Sequence, residues 1–456
     1  MHGHWLNQFC DGEVWEMSAV RQNKYQALLF LAHRKTVALQ NSSSLTKSSV
    51  FPFFVNSTTV IPNLMNDFEF GEESSSKCKP KLRVMMLGLR GFPNVQGGVE
   101  THAEHLSPLL VSLGCQVEVL ARSPYYANGS ASDWQGVKFI RLWAPKSKTL
   151  EALLHTFLGV LYAVVKRPDI LHIHAVGPAL MTPLARLLGI KVVVTHHGPD
   201  YDRQKWGWLA RRILVLGESL GMRFSNGRIA ISSVIQALIK NKYKADSAVI
   251  FNGVIMPDDA LLDTHQHHVL SEFDLIPSQY VLLVSRLVPE KRHFDLIHAF
   301  VEADIPNWKL VIVGASDHPD DYVQRLVESA SSTANVVMTG YQTGASLQCL
   351  YANAGMFVLP SSHEGLSISL LEALSYGLPA LASDIPANLA IELPHRQYFS
   401  LGNVSQLAQK MSETASMPLD SRVRNQIKNW VSKSYNWQGV AAQTLKEYQR
   451  VMKANN

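Results

Sequence analysis

The sequence predicts an α/β protein with two doubly wound domains, each built on a parallel β-sheet. Short apolar runs alternate with helical stretches along most of the chain, which is the pattern of strands joined by helices. The alternation occurs in two successive sets that meet near residues 252–257, where Asn-Gly follows a short apolar run. With 456 residues, 46% of them hydrophobic, the chain is long enough to form two cores.

Each predicted strand is a short apolar run bounded by polar or glycine residues. In the first set, strands are predicted at 82–88, 116–121, 170–174 and 191–195, with a helix at 150–165. In the second set, they are predicted at 280–285, 308–314, 336–340, 356–359 and 379–383. Since the carboxyl ends of parallel strands share one edge of a sheet, a ligand is expected between these edges of the two sheets.

The chain is expected to divide into four parts. Residues 1–80 have no sustained periodicity and include a serine-rich stretch, so we interpret them as a partly disordered N-terminal extension. The first domain is predicted at 81–255 and the second at 256–430. Residues 431–456 are predicted to end the chain as a helix.

Composition and charge exclude several classes of protein. The net charge of +5 is mild and dispersed, which argues against nucleic acid as a partner. No apolar stretch reaches the ~18 residues of a membrane span, and residues 1–10 lack the apolar core of a secretion signal. The four cysteines have no metal-ligand spacing, which is typical of free thiols in a reducing compartment. We therefore expect a cytoplasmic protein.

The segment 356–379 contains two glutamates at a point where an apolar strand passes into a helix. The backbone N–H groups of Gly365, Leu366 and Ser367 would lie at the start of that helix, where the helix dipole favours an anion such as a diphosphate. Glu364 and Glu372 can each accept the two hydrogen bonds of a vicinal diol, one on a hexose and one on a ribose. The alternative interpretation is that Glu364 and Glu372 are ordinary solvated surface residues that bind no ligand.

The same residues resemble the signature of a known enzyme family. The pattern S-x-x-E-G-x-x-x-x-x-x-E-A-x-x-x-G-x-P is similar to that of glycosyltransferase family 4, whose members are retaining enzymes with the GT-B fold. The resemblance implies that Glu364 contacts the transferred sugar and that Glu372 holds the ribose of the nucleotide. It also implies that the C-terminal helix crosses back to the first domain.

A glycine-rich loop follows the first predicted strand at 88–100. Paired glycines let a backbone approach a phosphate closely, so the loop is a candidate phosphate-binding loop. The alternative is that these glycines only form a tight turn. The loop resembles the G-G-x-E loop of family 4. That resemblance implies that Gly97 and Gly98 lie against the donor diphosphate and that Glu100 lies on the acceptor side.

A crowded polar loop follows the strand predicted at 191–195. Such loops carry much of the chemistry of α/β enzymes. The loop resembles the T-x-H-G segment of family 4, which implies that His197 lies near the donor sugar. We assign Asp200, Arg203 and Lys205 to the acceptor side, and a histidine that only packs in the core is the alternative.

Two further patterns are candidates for a metal site, and we favour neither. His102, Glu104 and His105 lack the i, i+4 histidine pair of a helical zinc site, so we interpret them as part of a partly exposed helix. Asp200 and Asp202 form a D-x-D motif, but that motif belongs to a different glycosyltransferase fold. We therefore predict no metal and no cofactor.

Two cations follow the first strand of the second domain. Arg286 and Lys291 are close enough in sequence to reach one diphosphate, Arg286 as a fork and Lys291 as a point charge. They resemble the donor-phosphate motif S-R-x-x-x-x-K of family 4, although Arg292 stands where glycine is usual. Solvated loop cations are the alternative.

The resemblance implies a metal-independent hexosyltransferase that retains the anomeric configuration. The donor would be a nucleoside-diphosphate sugar and the acceptor a saccharide or lipid-linked saccharide, as in bacterial surface-polysaccharide biosynthesis. Arg286 and Lys291 would stabilise the departing diphosphate, while His197 and Glu364 position the sugar. The apolar helix at 150–165 could make peripheral contact with the inner face of a membrane, but we favour the interpretation that it packs in the core between strands.

Other functions stay open on the sequence alone. A sugar-nucleotide epimerase with the GT-B fold would turn over the donor without an acceptor. A non-catalytic sugar-nucleotide-binding subunit is a second alternative. A dehydrogenase is the weakest, because the loop at 88–100 lacks G-x-G-x-x-G. One departure from the family is Ala390, where relatives often carry Glu, which puts a minor contact in doubt.

Overall fold

The computed structural model describes residues 81–93, 95–126, 131–145, 150–202, 207–257, 266–316, 320–417 and 420–454. The predicted extension at 1–80 lies outside the described residues. The described chain contains two β-sheets with helices between the strands, as the alternation of apolar runs and helical stretches predicts. The predicted domain boundaries at 255 and 430 stay predictions.

The first sheet has eight strands in the order β3-β4-β2-β1-β5-β6-β7-β8. The strands are β1 Arg83–Leu87, β2 Gln116–Arg122, β3 Asp133–Trp134, β4 Val137–Leu142, β5 Ile170–His174, β6 Val192–His196, β7 Gly227–Ala230 and β8 Ala248–Val249. We predicted a parallel sheet, but β3 pairs with β4 in antiparallel fashion. The reason is the turn at Gln135 and Gly136, whose φ angles of 49° and 79° suit a two-residue hairpin.

Five helices belong to the first domain: α1 Gly98–Ser112, α2 Leu150–Lys166, α3 Thr182–Leu187, α4 Trp208–Phe224 and α5 Ser233–Tyr243. α1 packs Leu106 into the same core as Met86 of β1. Leu87, the next residue of β1, points to the opposite face of the sheet. There it lies in one core with Val160 of α2 and with residues of α3 and α4. α2, α3 and α4 therefore cover the same face.

The second sheet has six parallel strands in the order β11-β10-β9-β12-β13-β14. The strands are β9 Tyr280–Val284, β10 Lys309–Val313, β11 Val336–Gly340, β12 Met356–Leu359, β13 Ala380–Ser383 and β14 Tyr398–Phe399. Its helices are α6 Gln266–Glu272, α7 His293–Ala303, α8 Asp321–Ser332, α9 Gly344–Ala352, α10 Ile368–Ser375, α11 Pro386–Leu389, α12 Val404–Ser416 and α13 Ser421–Ser434. The strand order reverses between β9 and β12, and doubly wound sheets bind ligands at such a point.

The last helix, α14 Trp437–Lys453, crosses back to the first domain, where it packs on α1 and β7. Just before it, the N–H of Val254 donates to the carbonyl of Tyr435 at 2.7 Å. Within α14, the hydroxyl of Tyr448 is 2.6 Å from Nδ1 of His172 in β5. The predicted crossing is confirmed. Among the described residues, no helix is both long enough and apolar enough to span a membrane.

Candidate active site

The second domain contributes an ion pair at the point where its strand order reverses. β9 ends at Val284 and the neighbouring β12 ends at Leu359, and the loops that follow carry Lys291 and Glu364. The Nζ of Lys291 donates a hydrogen bond to Oε1 of Glu364 at 2.5 Å, and these side chains are only 14% and 10% exposed. Two residues that we assigned to the donor thus meet at the carboxyl edge of the sheet.

Glu372 lies within α10, and its carboxylate has an unusual environment. Its Oε2 accepts a hydrogen bond from the hydroxyl of Tyr351 at 2.9 Å. Burial raises the pKa of Glu372 to about 7, although the Tyr351 hydrogen bond opposes the shift. A carboxylate in this state is stabilised by any further donor, such as a hydroxyl of a ligand.

The start of α10 presents backbone donors beside the same ion pair. Ser367 caps the helix, because its Oγ accepts from the N–H of Leu370 at 3.4 Å. None of the described residues accepts a hydrogen bond from the N–H groups of Gly365, Leu366 or Ser367. These donors and the helix dipole together suit an anion.

In the first domain, an ion pair between Arg90 and Glu100 holds the loop after β1. Arg90 Nε donates to Glu100 Oε1 at 3.0 Å, and the same guanidinium also bonds the carbonyl of Gln96. Burial alone would raise the pKa of Glu100, but the charge and hydrogen bonds of Arg90 lower it overall. A Cβ at Gly97 would collide with this carboxylate, and Gly98 is exposed at the start of α1. Glu100 therefore fixes the shape of the loop.

Loops of the two domains meet where the carboxyl edges of their sheets face each other. The contacts pair Gln96 with Gly314, His197 with Gly365, and Asn252 with Leu366. Gly365 packs so closely on the carbonyl of His197 that a Cβ would collide with its oxygen. Asn252 donates through Nδ2 to the carbonyl of Leu366 at 3.1 Å. The loop after β1, which contains Gln96, and the loop after β6, which contains His197, thus both contact the second domain.

A cluster of three histidines, of which His102 and His174 are buried and His197 is half-buried, lies on the first-domain side of this junction. His174, at the end of β5, places Nδ1 3.1 Å from Nε2 of His197. His102 of α1 packs edge-on against His197 and places Nδ1 2.9 Å from Oδ1 of Asn252. Burial lowers the pKa of His102 to about 4 and that of His197 well below 6.5. All three imidazoles are therefore neutral at neutral pH.

These three histidines also form the one group, within the described ranges, that could hold a metal ion. One ring nitrogen from each of His102, His174 and His197 lies within 4.8 Å of the others, and neutral imidazoles are ligands for Zn²⁺. The bonds from His102 to Asn252 and from His174 to His197 use one ring nitrogen of each histidine, whereas Nε2 of His174 is buried and has no hydrogen-bond partner among the described residues. Our prediction of a partly exposed helix is wrong for His102, which is 2% exposed because α1 turns it into the core.

Comparisons with known proteins identify the family. The model described as Glycosyltransferase Family 4 matches residues 96–256, and the model described as Glycosyl transferases group 1 matches residues 276–430. The chain belongs to the family 4, group 1 glycosyltransferases. It is therefore a transferase with the GT-B fold, and the predicted family is confirmed.

Relatives of this glycosyltransferase include plant and bacterial enzymes. One component of the phosphatidylinositol N-acetylglucosaminyltransferase of Arabidopsis thaliana is 25% identical over 83% of this chain and 84% of that protein. The O-antigen chain mannosyltransferase B of Escherichia coli is 30% identical, but over only 26% of this chain and 32% of that protein. Among solved structures, Anabaena HepE in complex with UDP and glucose has a TM-score of 0.65 and 16% identity, covering 81% of this chain and 100% of that one.

His196 and His197, which are neighbours at the end of β6, make different contacts. Both ring nitrogens of His196 are used within the first domain, by Glu218 at 2.9 Å and by the N–H of Gly198 at 3.1 Å. His197 instead lies in the cluster at the junction with the second domain. This difference supports the choice of His197 as the site residue, although its role stays a prediction.

Two of the remaining predicted residues, Asp200 and Arg286, lie in loops at the same edges of the sheets. Asp200 lies half-buried in a 3₁₀ turn after His197, and Arg286 lies half-buried in the loop after β9. Arg203 and Lys205 lie outside the described residues. Their assignments to donor and acceptor stay predictions.

Three polar residues of the site were not predicted from the sequence: Tyr351, His174 and Asn252. His174 could have been found from the sequence. In His172-Ile173-His174 the two histidines alternate with an apolar residue, and this pattern places His174 at the carboxyl end of a buried strand. Tyr351 and Asn252 gave no comparable signal, because their partners are distant in sequence.

Proposed function

We propose that this glycosyltransferase is a metal-independent hexosyltransferase that uses a nucleoside-diphosphate sugar and retains the anomeric configuration. The observation that best supports the proposal is the ion pair of Lys291 and Glu364, which lies beside the start of α10 where the strand order reverses. A cation, a carboxylate and free backbone donors at one point suit a ligand that has both phosphates and sugar hydroxyls.

In the proposed complex, the donor occupies the edge of the second sheet. Arg286, Lys291 and the N–H groups of Gly365 and Leu366 bind the diphosphate. Glu372 accepts hydrogen bonds from the ribose, and Glu364 accepts them from the transferred sugar. The related Anabaena structure, in complex with UDP and glucose, supports a ligand of this class.

The reaction needs charge stabilisation more than it needs a strong base. Breaking the sugar–phosphate bond leaves a nucleoside diphosphate, whose charge Arg286, Lys291 and the α10 dipole stabilise. His197 is neutral, so it positions the sugar by hydrogen bonding and contributes no positive charge. Retention follows if an oxygen of the donor phosphate assists deprotonation of the acceptor on the face from which the diphosphate departs.

The acceptor side is proposed to lie on the first domain. Asp200, Arg203 and Lys205 are the candidates for contacts with a saccharide or lipid-linked saccharide. Glu100 acts there through the loop that it shapes, since its carboxylate is already bonded to Arg90. The O-antigen and phosphatidylinositol relatives support a role in building saccharides on a larger carrier, and we propose polysaccharide biosynthesis at the cytoplasmic side of a membrane.

Ligand-induced thermal stabilisation, followed by a transfer assay, tests the proposal. We expect one class of nucleoside-diphosphate sugar to stabilise the protein by about 2.7 kcal/mol at a hundredfold excess over Kd. Glu372→Ala should abolish this shift, while Glu302→Ala, an exposed glutamate on α7, should not alter it. NMR of the product then reports its anomeric configuration. Donor turnover without an acceptor, or an inverted product, would contradict the proposal.

A further inference from the structure

Three helices of the first domain form one exposed surface, which we call the α2–α4 face. α2, α3 and α4 all cover the same side of the first sheet, and α3 contacts both of its neighbours. Their inward sides are buried in one core. Their outward sides therefore lie next to one another on the surface of the domain.

The α2–α4 face exposes large apolar side chains in helical stripes. On α2, the stripe repeats every four residues, at Phe157, Leu161 and Val165, and Val165 is 79% exposed. The other exposed large apolar residues of these helices are Leu187 on α3 and Trp208, Leu209, Ile213, Leu216 and Phe224 on α4. Contiguous apolar surface of this kind is rare on soluble monomers unless something binds to it.

The exposed charges of the α2–α4 face are all positive. The exposed charged residues of these helices are Lys166, Arg211, Arg212 and Arg223. Their only two carboxylates are buried, Glu151 beside Arg122 at 3.1 Å and Glu218 beside Lys242 at 2.5 Å. A surface with apolar stripes and cations, but with no exposed carboxylate in its described residues, is complementary to an anionic membrane.

We propose that the α2–α4 face docks on a bilayer that contains anionic lipids. The apolar stripes enter the boundary between headgroups and acyl chains, the arginines and Lys166 contact lipid phosphates, and Trp208 lies at the interface, where tryptophan is enriched. The sequence pointed only to residues 150–165. The structure adds α4, which contributes a second exposed apolar stripe and three of the four exposed cations.

The position of α4 connects the α2–α4 face with the candidate active site. Gly217 and Gly221 let α4 pack directly on the backbone of Val176 and on Ala179, in the segment that follows β5. His174, at the end of β5, belongs to the histidine cluster. A docked membrane would therefore lie beside the acceptor side of the site. The link to a lipid-linked acceptor rests on the proposed function, whereas the docking itself does not.

Vesicle flotation of the full-length protein tests the docking. We expect flotation with vesicles of phosphatidylcholine and phosphatidylglycerol, little flotation with phosphatidylcholine alone, and release at high salt. The double variant Arg211→Gln/Arg212→Gln should lower the affinity about tenfold or more, and Trp208→Ser/Leu209→Ser should do the same. The control Val301→Ser/Val327→Ser removes exposed valines from the second domain and should bind like the unchanged protein.

Two further measurements separate the alternatives. The donor-induced thermal shift should persist in every variant, so that loss of flotation with an intact shift reports docking alone. Equal flotation with neutral vesicles, or no effect of the α2–α4 changes, would overturn the proposal. So would light scattering that finds a dimer which Trp208→Ser/Leu209→Ser dissociates, because the face would then be an interface between copies of the chain.

Discussion

Gly365 of the second domain lies directly against the backbone carbonyl of His197 in the first domain. The contact joins the loop after β12 to the loop after β6, both at carboxyl edges of their sheets. Each loop carries a residue that we assign to the transferred sugar. The alignment of Glu364 with His197 therefore depends on a close approach of two backbones, which only a glycine at position 365 allows.

Gly365→Ala is expected to separate the two loops while leaving the second domain folded. Because the added Cβ would collide with the carbonyl of His197, kcat should fall about 100-fold, the scale expected for a misplacement near 1 Å. Nucleotide affinity should fall less than kcat, since alanine keeps the N–H at position 365 and Glu372 and Arg286 are on the second domain. Gly207→Ala, at a glycine with a φ of −66° and open space around its Cβ, tests whether loss of any glycine has the same effect.

Glu372→Gln is expected to remove a pH dependence of stability. The pKa of Glu372 is raised from 4.5 to about 7, so between these values the folded state holds more protons than the unfolded state. The free energy of unfolding therefore falls as pH rises through this window. Above pH 7, the neutral Gln variant should be more stable than the unchanged protein by up to about 3 kcal/mol, and below pH 4.5 the two should be alike.

Urea unfolding at several pH values measures this difference. Nucleotide binding should have the opposite sign, because the ribose hydroxyls need the ionised carboxylate. Affinity should rise as pH increases through 7 in the unchanged protein and stay flat in Glu372→Gln. Parallel stability curves for the two proteins would show that folding does not raise the pKa of Glu372.

Sequence spacing predicted the parts of the site that are encoded locally. Lys291 and Glu364 lie in loops that follow strands, and Glu372 lies in the helix after the second loop, so the order of elements along the chain fixes their edge of the sheet. Tyr351 could not be predicted from the sequence because its hydrogen bond to Glu372 joins two different helices. Asn252 was missed for the same reason, since its partners lie 150 and 114 residues away.

The structure differs from the sequence prediction at His102 and at the β3–β4 hairpin, and both differences have local causes. Helical periodicity did not reveal that His102 faces inward, because the polar imidazole was counted with the exposed side of α1 and is satisfied only by Asn252. The β3–β4 hairpin was not predicted because Gln135-Gly136 is not one of the common turn pairs, and Gln135 accepts a positive φ there.

His174→Ala is expected to lower kcat by about 10- to 100-fold while leaving the KM for the donor nearly unchanged. His174 does not contact the substrate in our proposal, but its Nδ1 orients the His197 ring. His174→Asn should recover most of the rate, because its side-chain amide can occupy the position of Nδ1. His298→Ala, at an exposed histidine of α7, is the control. If the Asn variant is as slow as the Ala variant, then His174 has a role other than orienting His197.

Removal of metal ions tests how the departing diphosphate is stabilised. If Arg286, Lys291 and the start of α10 supply the positive charge, dialysis against EDTA should leave the transfer rate unchanged, and added Mg²⁺ or Mn²⁺ should not raise it.

Lys291→Gln should lower kcat on the order of 100-fold, the usual effect of losing one preorganised donor. Lys309→Gln, whose ammonium bonds Asp274 at 2.7 Å away from the proposed site, controls for loss of a lysine. A rate that EDTA abolishes and Zn²⁺ restores would instead place an ion among His102, His174 and His197, and His102→Ala should then prevent the restoration.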